Sequence, residues 1–169
     1  MPMSLKNNFE MFAKYNQWAN ERIYKAASNL DEHDYRMDCG AFFKSIHGTL
    51  NHLLVTDRIW LQRLTGYGKT ENRLDIIVYE DFLELHSARR VEDERIVTYV
   101  TGLTEPALAG VITYRRVSTP ELQKQDVALT LAHWFNHQTH HRGQIHAILT
   151  RLVGDAPELD LLFYQRLLQ

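Results

Sequence analysis

DVALTLAHWFNHQTHHRGQIHAILTRLVG, residues 126–154, is the stretch on which the fold turns. Asp126 suits a helix N-cap, and Gly154 followed by Pro157 supplies a stop, so the whole run reads as one helix. At about 1.5 Å per residue it extends on the order of 40 Å. Its apolar stripe is Trp134, His137, His141, Ile145, Ile148 and Leu152, spaced in threes and fours. A long helix with one apolar side needs other helices of comparable length to cover that side.

The rest of the chain supplies them. Ser4 can cap a first helix over roughly residues 5 to 29, whose inward positions are Phe9, Phe12, Asn16, Ala19, Ile23 and Ala26. NLDEHDYRMDCG breaks it, and a second periodic run follows in AFFKSIHGTLNHLLVTDRIWLQRLTG, with Phe43, Ile46, Leu50, Leu53, Trp60 and Leu64 in a stripe and Gly66 at its end. After the polar, irregular YGKTENRLDII, a third helix is expected from about Tyr79 to Thr101, with Phe82, Leu85, Val91, Ile96, Val97 and Val100 as its apolar positions. VITYRRVSTPELQKQ, residues 111–125, begins with β-branched and aromatic residues, turns at Ser118, Thr119 and Pro120, and reads as a small hairpin or irregular excursion. A short C-terminal helix at roughly 158 to 168 offers Leu159, Leu162, Phe163 and Leu167. The expectation is an all-α protein: one four-helix bundle domain over residues 1–169, with the excursion placed before the fourth long helix.

Composition narrows the function. Nineteen Lys and Arg against 21 Asp and Glu leave no broad basic surface for a phosphate backbone, so nucleic acid is not an expected partner. A single cysteine, Cys39, precludes an intramolecular disulfide and a cysteine-based zinc knuckle. No run is long enough to span a bilayer, and the first twenty residues lack an apolar signal core, so a cytoplasmic protein with no membrane partner is expected.

The fourth helix crowds four histidines into FNHQTHHRGQIH, residues 135–146. Spacing sorts them: His137 and His141 lie on the inward stripe, whereas His140 falls with Asn136, Gly143, Ala147 and Arg151 on a polar side, and His146 lies off the stripe. His133, four residues before His137, extends the row. Two imidazoles one turn apart can converge on one ion at about 2.0–2.1 Å. The competing reading is a pair of core-edge histidines hydrogen-bonded to neighbours. A zincin protease site is excluded because Gln138 stands where the general-base Glu would be, and Gln takes up no proton. A ferritin-like di-iron site is excluded because the fourth helix has no carboxylate between Asp126 and Asp155. A third ligand has to come from another helix, where His47, His52 and His86 are available; His52 has Gly48, Thr49, Thr56 and Ile59 along its face, which leave room, but geometry does not choose among the three.

YNQWAN near the start, LNHLLVTDRIWLQR in the second helix and FNHQTHHRGQIHAIL in the fourth together resemble the DinB family of damage-inducible bacterial proteins, over essentially the whole chain. The resemblance implies a bundle of the DinB and YfiT type holding a divalent metal with three histidines: His52 in LNHLL, and His137 and His141 in NHQTHHR. Three histidines leave the fourth coordination position open to water or substrate. Zinc is the default ion, with nickel or iron as alternatives. Families sharing this bundle imply a small-molecule substrate, a low-molecular-weight thiol partner in an S-transferase reaction, and a homodimer. The other readings are a non-enzymatic metal-binding stress-response protein and a metal-dependent hydrolase. Asn136 and Arg142 belong to the matching motif, with a structural ion pair to another helix expected for Arg142. Asp57 and Glu21 are the carboxylates considered for the second ring N–H of a ligating histidine. Trp18, Trp60, Tyr15, Tyr114 and Tyr164 are left between core and pocket.

Overall fold

Ser4 accepts a hydrogen bond from the Asn7 N–H at 3.1 Å and starts α1 (Leu5–Ala27), as its sequence suggests. The computed structural model describes residues 4–117, 119 and 121–169; the turn residues Ser118 and Pro120 lie outside the described residues. Within the break after α1, Asp31 caps a short helix that periodicity does not reveal, α2 (Glu32–Arg36). The second long helix, α3 (Ile46–Thr65), begins only at Ser45, whose side chain accepts from the Gly48 N–H. Residues 41–44 instead form a tight turn closed by Lys44 N–H to the Ala41 carbonyl at 2.8 Å, which takes Phe43 out of the helix. Gly66, at φ 77°, ends α3 with its N–H on the Gln62 carbonyl.

The third long helix, α4 (Phe82–Gly102), starts three residues later than expected because Asp81 caps it through the Glu84 N–H. Thr104 then caps the short α5 (Glu105–Leu108). The excursion is a true antiparallel hairpin of β1 (Val111–Arg115) and β2 (Leu122–Asp126), paired Val111 to Asp126 and Arg115 to Leu122. β2 runs directly into α6 (Val127–Val153), and Asp126 holds the N-cap position without a side-chain capping bond. The C-terminal helix, α7 (Leu161–Arg166), is shorter than expected; it buries Tyr164, while Leu162, Phe163 and Leu167 stay exposed. Val91 of α4 is likewise exposed.

In the bundle α1 packs on α4 and α6, and α3 packs on the same two, so α1 and α3 stand on a diagonal. Cross-helix contacts fix the directions. Phe9 stacks on Phe135 and Arg142 reaches Asn16, so α1 and α6 run parallel. Asp57 meets Arg89 and Arg58 meets Glu92, so α3 and α4 run parallel. Trp60 meets His133 while His52 meets His141, so α3 and α6 are antiparallel. Two adjacent parallel helices require a connection that returns along the bundle. Residues 66–81 make that return; extended, they reach about 50 Å, against about 30 Å for a helix the length of α3.

The core is divided. One apolar half contains Phe9, Trp60, Ile96 and Trp134, the other Ile23, Leu50, Leu85 and Ile145. Between them lies a buried polar layer to which each long helix contributes. Asp57 accepts from Trp134 Nε1 and Arg89 Nη1, each at 2.6 Å, and from Gln138 Nε2. Arg89 pairs with Asp93 at 3.0 Å, and Asp93 accepts from Asn20 Nδ2 at 2.9 Å. Arg142 closes the ring by donating to Asn16, to Asn20 at 3.2 Å and to Gln138 at 3.4 Å. Two carboxylates and two guanidiniums balance, which is how such charges persist out of water.

Candidate metal centre

His52 stands in the middle of α3, and His137 and His141 stand one turn apart on the antiparallel α6, so all three meet across the α3/α6 interface. The facing Nε2 atoms of His52 and His137 are 3.3 Å apart, and one ring nitrogen from each histidine fits within a 4.8 Å group. Two ligands of a tetrahedral ion held at about 2.0–2.1 Å are themselves about 3.3–3.4 Å apart, so the His52–His137 spacing already matches such a site. His141 completes the set, its ring centroid 4.5 Å from that of His137 and 4.6 Å from that of His52.

Tautomers are set by neighbours. His52 Nδ1–H donates to the Leu74 carbonyl at 2.8 Å, which leaves Nε2 as a bare lone pair facing the group. Leu74 belongs to the returning segment 66–81, which is pinned to α3 by the fully buried Asn51: its Oδ1 accepts from Val78 N–H and Tyr79 N–H, each at 3.0 Å. His141 Nδ1–H donates to Gln144 Oε1 at 2.9 Å, and Gln144 Nε2 in turn donates to His140 Nε2 at 3.1 Å. His140 is therefore not idle: it fixes which end of the Gln144 amide meets His141. Phe43 stacks flat on His52 with 3.6 Å between centroids. Gly48 permits this, because a Cβ there would lie 2.2 Å from the Phe43 carbonyl oxygen.

The imidazoles are held neutral. Burial, reinforced by the neighbouring histidines, lowers His137 to about 3. Burial lowers His52 to about 4 against the opposing pull of the Leu74 hydrogen bond, and burial lowers His141 as well. Neutral rings with lone pairs converging is the state a divalent cation requires. His137 Nδ1 is buried with no partner among the described residues, and its Nε2 faces the Nε2 of His52, so no neighbour selects its tautomer as Leu74 and Gln144 do for the other two. The donor set fits a divalent cation.

His52 and His137 form the inner end of a pocket of about 300 Å³. Its walls are Thr56, Ile59, Trp60 and Arg63 of α3, His133 of α6, Leu74 of the returning segment, and Tyr114, Arg116 and Val117 of the hairpin region. No carboxylate is among the described residues that line it. A larger cavity of about 860 Å³ lies between α1, α6 and the C-terminal segment, where Asn136, Arg142, His146 and Tyr15 border it, and it contains none of the three clustered histidines. Volume favours the second cavity, but convergent donors favour the first, and chemistry follows the donors.

Other residues fall elsewhere. His47 meets the Tyr35 hydroxyl and Glu80, and His86 meets Glu21, so neither joins the group. Asp57 binds Arg89, Trp134 and Gln138, and Glu21 binds Arg90 and His86; neither carboxylate touches a clustered histidine, whose second N–H groups go to a carbonyl and an amide instead. Arg142 makes no carboxylate hydrogen bond; amide oxygens, the Thr139 hydroxyl and the Tyr15 ring surround it. Trp18, Tyr15 and Tyr164 pack together away from the histidines, whereas Trp60 and Tyr114 are pocket walls. Asp31, His33 and Asp34 form a mostly exposed group at the start of α2, where Asp31 caps the helix through the Asp34 N–H and His33 meets the Asp34 carboxylate.

Leu74 and Gln144 are positions that sequence reasoning passes over, and Phe43 is one that it places in a helix stripe rather than on His52. Only Gln144 had a signal, standing three residues after His141 on the same helix.

The model of the DinB family matches residues 3–167. "Protein DinB" of Bacillus subtilis (strain 168) is 25% identical over 142 residues, which cover 80% of this chain and 81% of that relative. No helix among the described residues is long and apolar enough to cross a membrane.

Proposed function

Since the chain belongs to the DinB family, we propose that it is a divalent-metal-dependent enzyme acting on a small molecule at an open three-histidine site, as a thiol-dependent S-transferase. The observation that supports this is the convergence of three neutral histidines, two of which line a pocket with no carboxylate among its described lining residues. His52, His137 and His141 would hold the ion, with Leu74 and Gln144 orienting two of them. When bound, a divalent ion lowers the pKa of a coordinating thiol, so that it reacts as thiolate at neutral pH. Zinc is the ion assigned first; nickel and iron suit the same donors.

Thr56, Trp60 and Tyr114 border the space in which a thiol and an electrophile would meet. Water is a far weaker acid than a thiol, so hydrolysis gains more from a nearby base than thiolate attack does. The pocket holds one imidazole outside the cluster, His133, whose pKa burial and Arg63 both lower. That residue keeps a metal-dependent hydrolase as the second reading.

Elemental analysis of untagged protein, followed by turnover of a thiol and electrophile panel, tests the proposal. Stoichiometric metal and thiol-dependent turnover that disappear in His137→Ala are expected. Metal-loaded protein with no turnover across the panel overturns the enzymatic reading, and full stability with no metal bound overturns both metal readings.

A further inference from the structure

Arg63 is a half-buried cation with no carboxylate partner among the described residues. Its guanidinium carbon lies 4.6 Å from the centre of the Trp60 ring and 4.2 Å from that of Tyr114, two rings that meet edge to face. One nitrogen, Nη2, donates to the Arg115 carbonyl at 3.1 Å. No other hydrogen bond to a described residue engages its Nε and Nη1 groups. Two aromatic faces fix the plane of the guanidinium and strip part of its water, a costly arrangement for a group that only tacks a hairpin to a helix. Any side-chain donor would serve for the tack.

The position matters more than the cost. Trp60 contacts His133 at 5.3 Å between rings, and His133 contacts His137 at 5.9 Å, so a continuous aromatic wall leads from Arg63 to the histidine cluster. Arg116 lines the same pocket, paired only loosely with Glu121 at 3.9 Å and over half exposed. The chain as a whole carries a net charge of −2, so the positive sign of this pocket is local. Its volume of about 300 Å³ is at the small end of ligand pockets.

We propose that Arg63 is the anion-recognition residue of this pocket, and that the small molecule brought to the histidine site carries a carboxylate or phosphate group, which Arg63 receives on its free guanidinium edge and Arg116 attracts. The proposal rests on the metal-site reading only for what stands at the inner end of the pocket. A planar guanidinium whose orientation is already set loses little freedom in accepting two oxygens, and binding there holds the anionic end away from the histidines and the reactive end toward them.

Full-length protein is titrated with succinate, inorganic phosphate and neutral succinamide, in zinc-loaded and metal-free forms, by calorimetry and by tryptophan fluorescence, to which Trp60 under the Arg63 guanidinium contributes beside Trp18 and Trp134. Succinate or phosphate is expected to bind, succinamide not to bind, and Arg63→Gln to weaken the anion about tenfold or more, with partial recovery in Arg63→Lys. If Arg63→Gln loosens the hairpin, seen as a lower Tm, Arg116→Gln reads the same field without touching the Arg115 carbonyl and is expected to weaken binding about threefold. Preference for phosphate over succinate, or the reverse, identifies the anionic group. Absence of anion binding in both metal states, equal binding of succinamide, or unchanged affinity in Arg63→Gln overturns the proposal. Binding lost in His137→Ala but kept in Arg63→Gln also overturns it, since the anion then sits on the metal alone. If zinc does not load at all, the metal reading fails, while Arg63-dependent anion binding by metal-free protein still upholds this one.

Discussion

Replacing Asp57 with Ala should bring the bundle close to unfolding, because Asp57 anchors the buried polar layer and touches none of the clustered histidines. The carboxylate is fully buried and accepts from Arg89, Trp134 and Gln138. Removing one partner of a buried ion pair costs about 3–5 kcal/mol, and each stranded buried donor adds about 1 kcal/mol or more. Arg89 retains Asp93, and water can enter the space left by the carboxylate, which recovers part of the loss. The net expectation is about 4–6 kcal/mol, against total stabilities of about 5–15 kcal/mol for domains of this kind. At about 2–4 °C per kcal/mol, Tm should fall by about 10–20 °C.

Urea denaturation of Asp57→Ala and of Asp57→Leu combined with Arg89→Leu measures this. The double variant should cost less than the sum of its two single variants, because the Asp57–Arg89 pair is lost once in it and twice in the sum, although Asp93 is left without its cation. A loss below about 1.5 kcal/mol in Asp57→Ala, or a double variant costing the sum of two singles, would refute the reasoning. Asp57→Asn keeps the shape, and its zinc affinity should stay within about threefold of wild type. A carboxylate that orients a ligating histidine would cost 10–100-fold.

Gln144→Ala should weaken zinc about tenfold with little change in Tm, because it frees the His141 ring without opening the core; competition with a chromogenic chelator reads the affinity. Gly48→Ala forces a Cβ to within 2.2 Å of the Phe43 carbonyl, a backbone atom that cannot swing aside, so thermal unfolding should show a loss of about 1–3 kcal/mol and chelator competition a weaker metal site. The pH dependence of zinc binding should be shallow. Three ordinary imidazoles of pKa about 6.5 would lose about fiftyfold in affinity between pH 7.5 and 6 through proton competition, whereas rings lowered to about 4 at His52 and about 3 at His137, with His141 also lowered, should lose less than about fivefold. By the same sign the metal-free protein should lose stability as pH falls from about 6.5 toward 4, since the unfolded chain takes up protons that the folded one refuses; urea midpoints at pH 7 and 5 test this.

Periodicity located the four long helices because each buries a stripe, and it placed His137 and His141 inward for the same reason. It failed where the buried positions are polar. Asp57, Arg89, Asp93 and Arg142 are as buried as any leucine, yet a charged residue contributes nothing to an apolar pattern. Asp57, one of two carboxylates that the sequence offers to a histidine, shares α3 with His52, yet different neighbours claim the two. The apolar pattern starts the second long helix five residues early because Ala41, Phe42 and Phe43 continue the apolar count, although Ser45 is the residue able to cap. The tight turn ahead of Ser45 sets Phe43 on His52, a contact between a loop and a helix that no single-element period encodes.

The division of labour in the pocket follows from topology. The three clustered histidines sit on two long antiparallel helices, where spacing is rigid and visible in sequence. Much of what surrounds them comes from connections: Leu74 from the return forced by parallel α3 and α4, and Tyr114, Arg116 and Val117 from the hairpin region between α4 and α6. The helices can therefore keep one donor set while the connections change length and composition at little cost to the core. In this chain they contribute a phenol and a guanidinium to the pocket and, among the described residues, no acid. On the proposed function, the helices would decide that a metal binds, whereas the connections, together with Arg63 and Trp60 at the far end of α3, would decide what is brought to it.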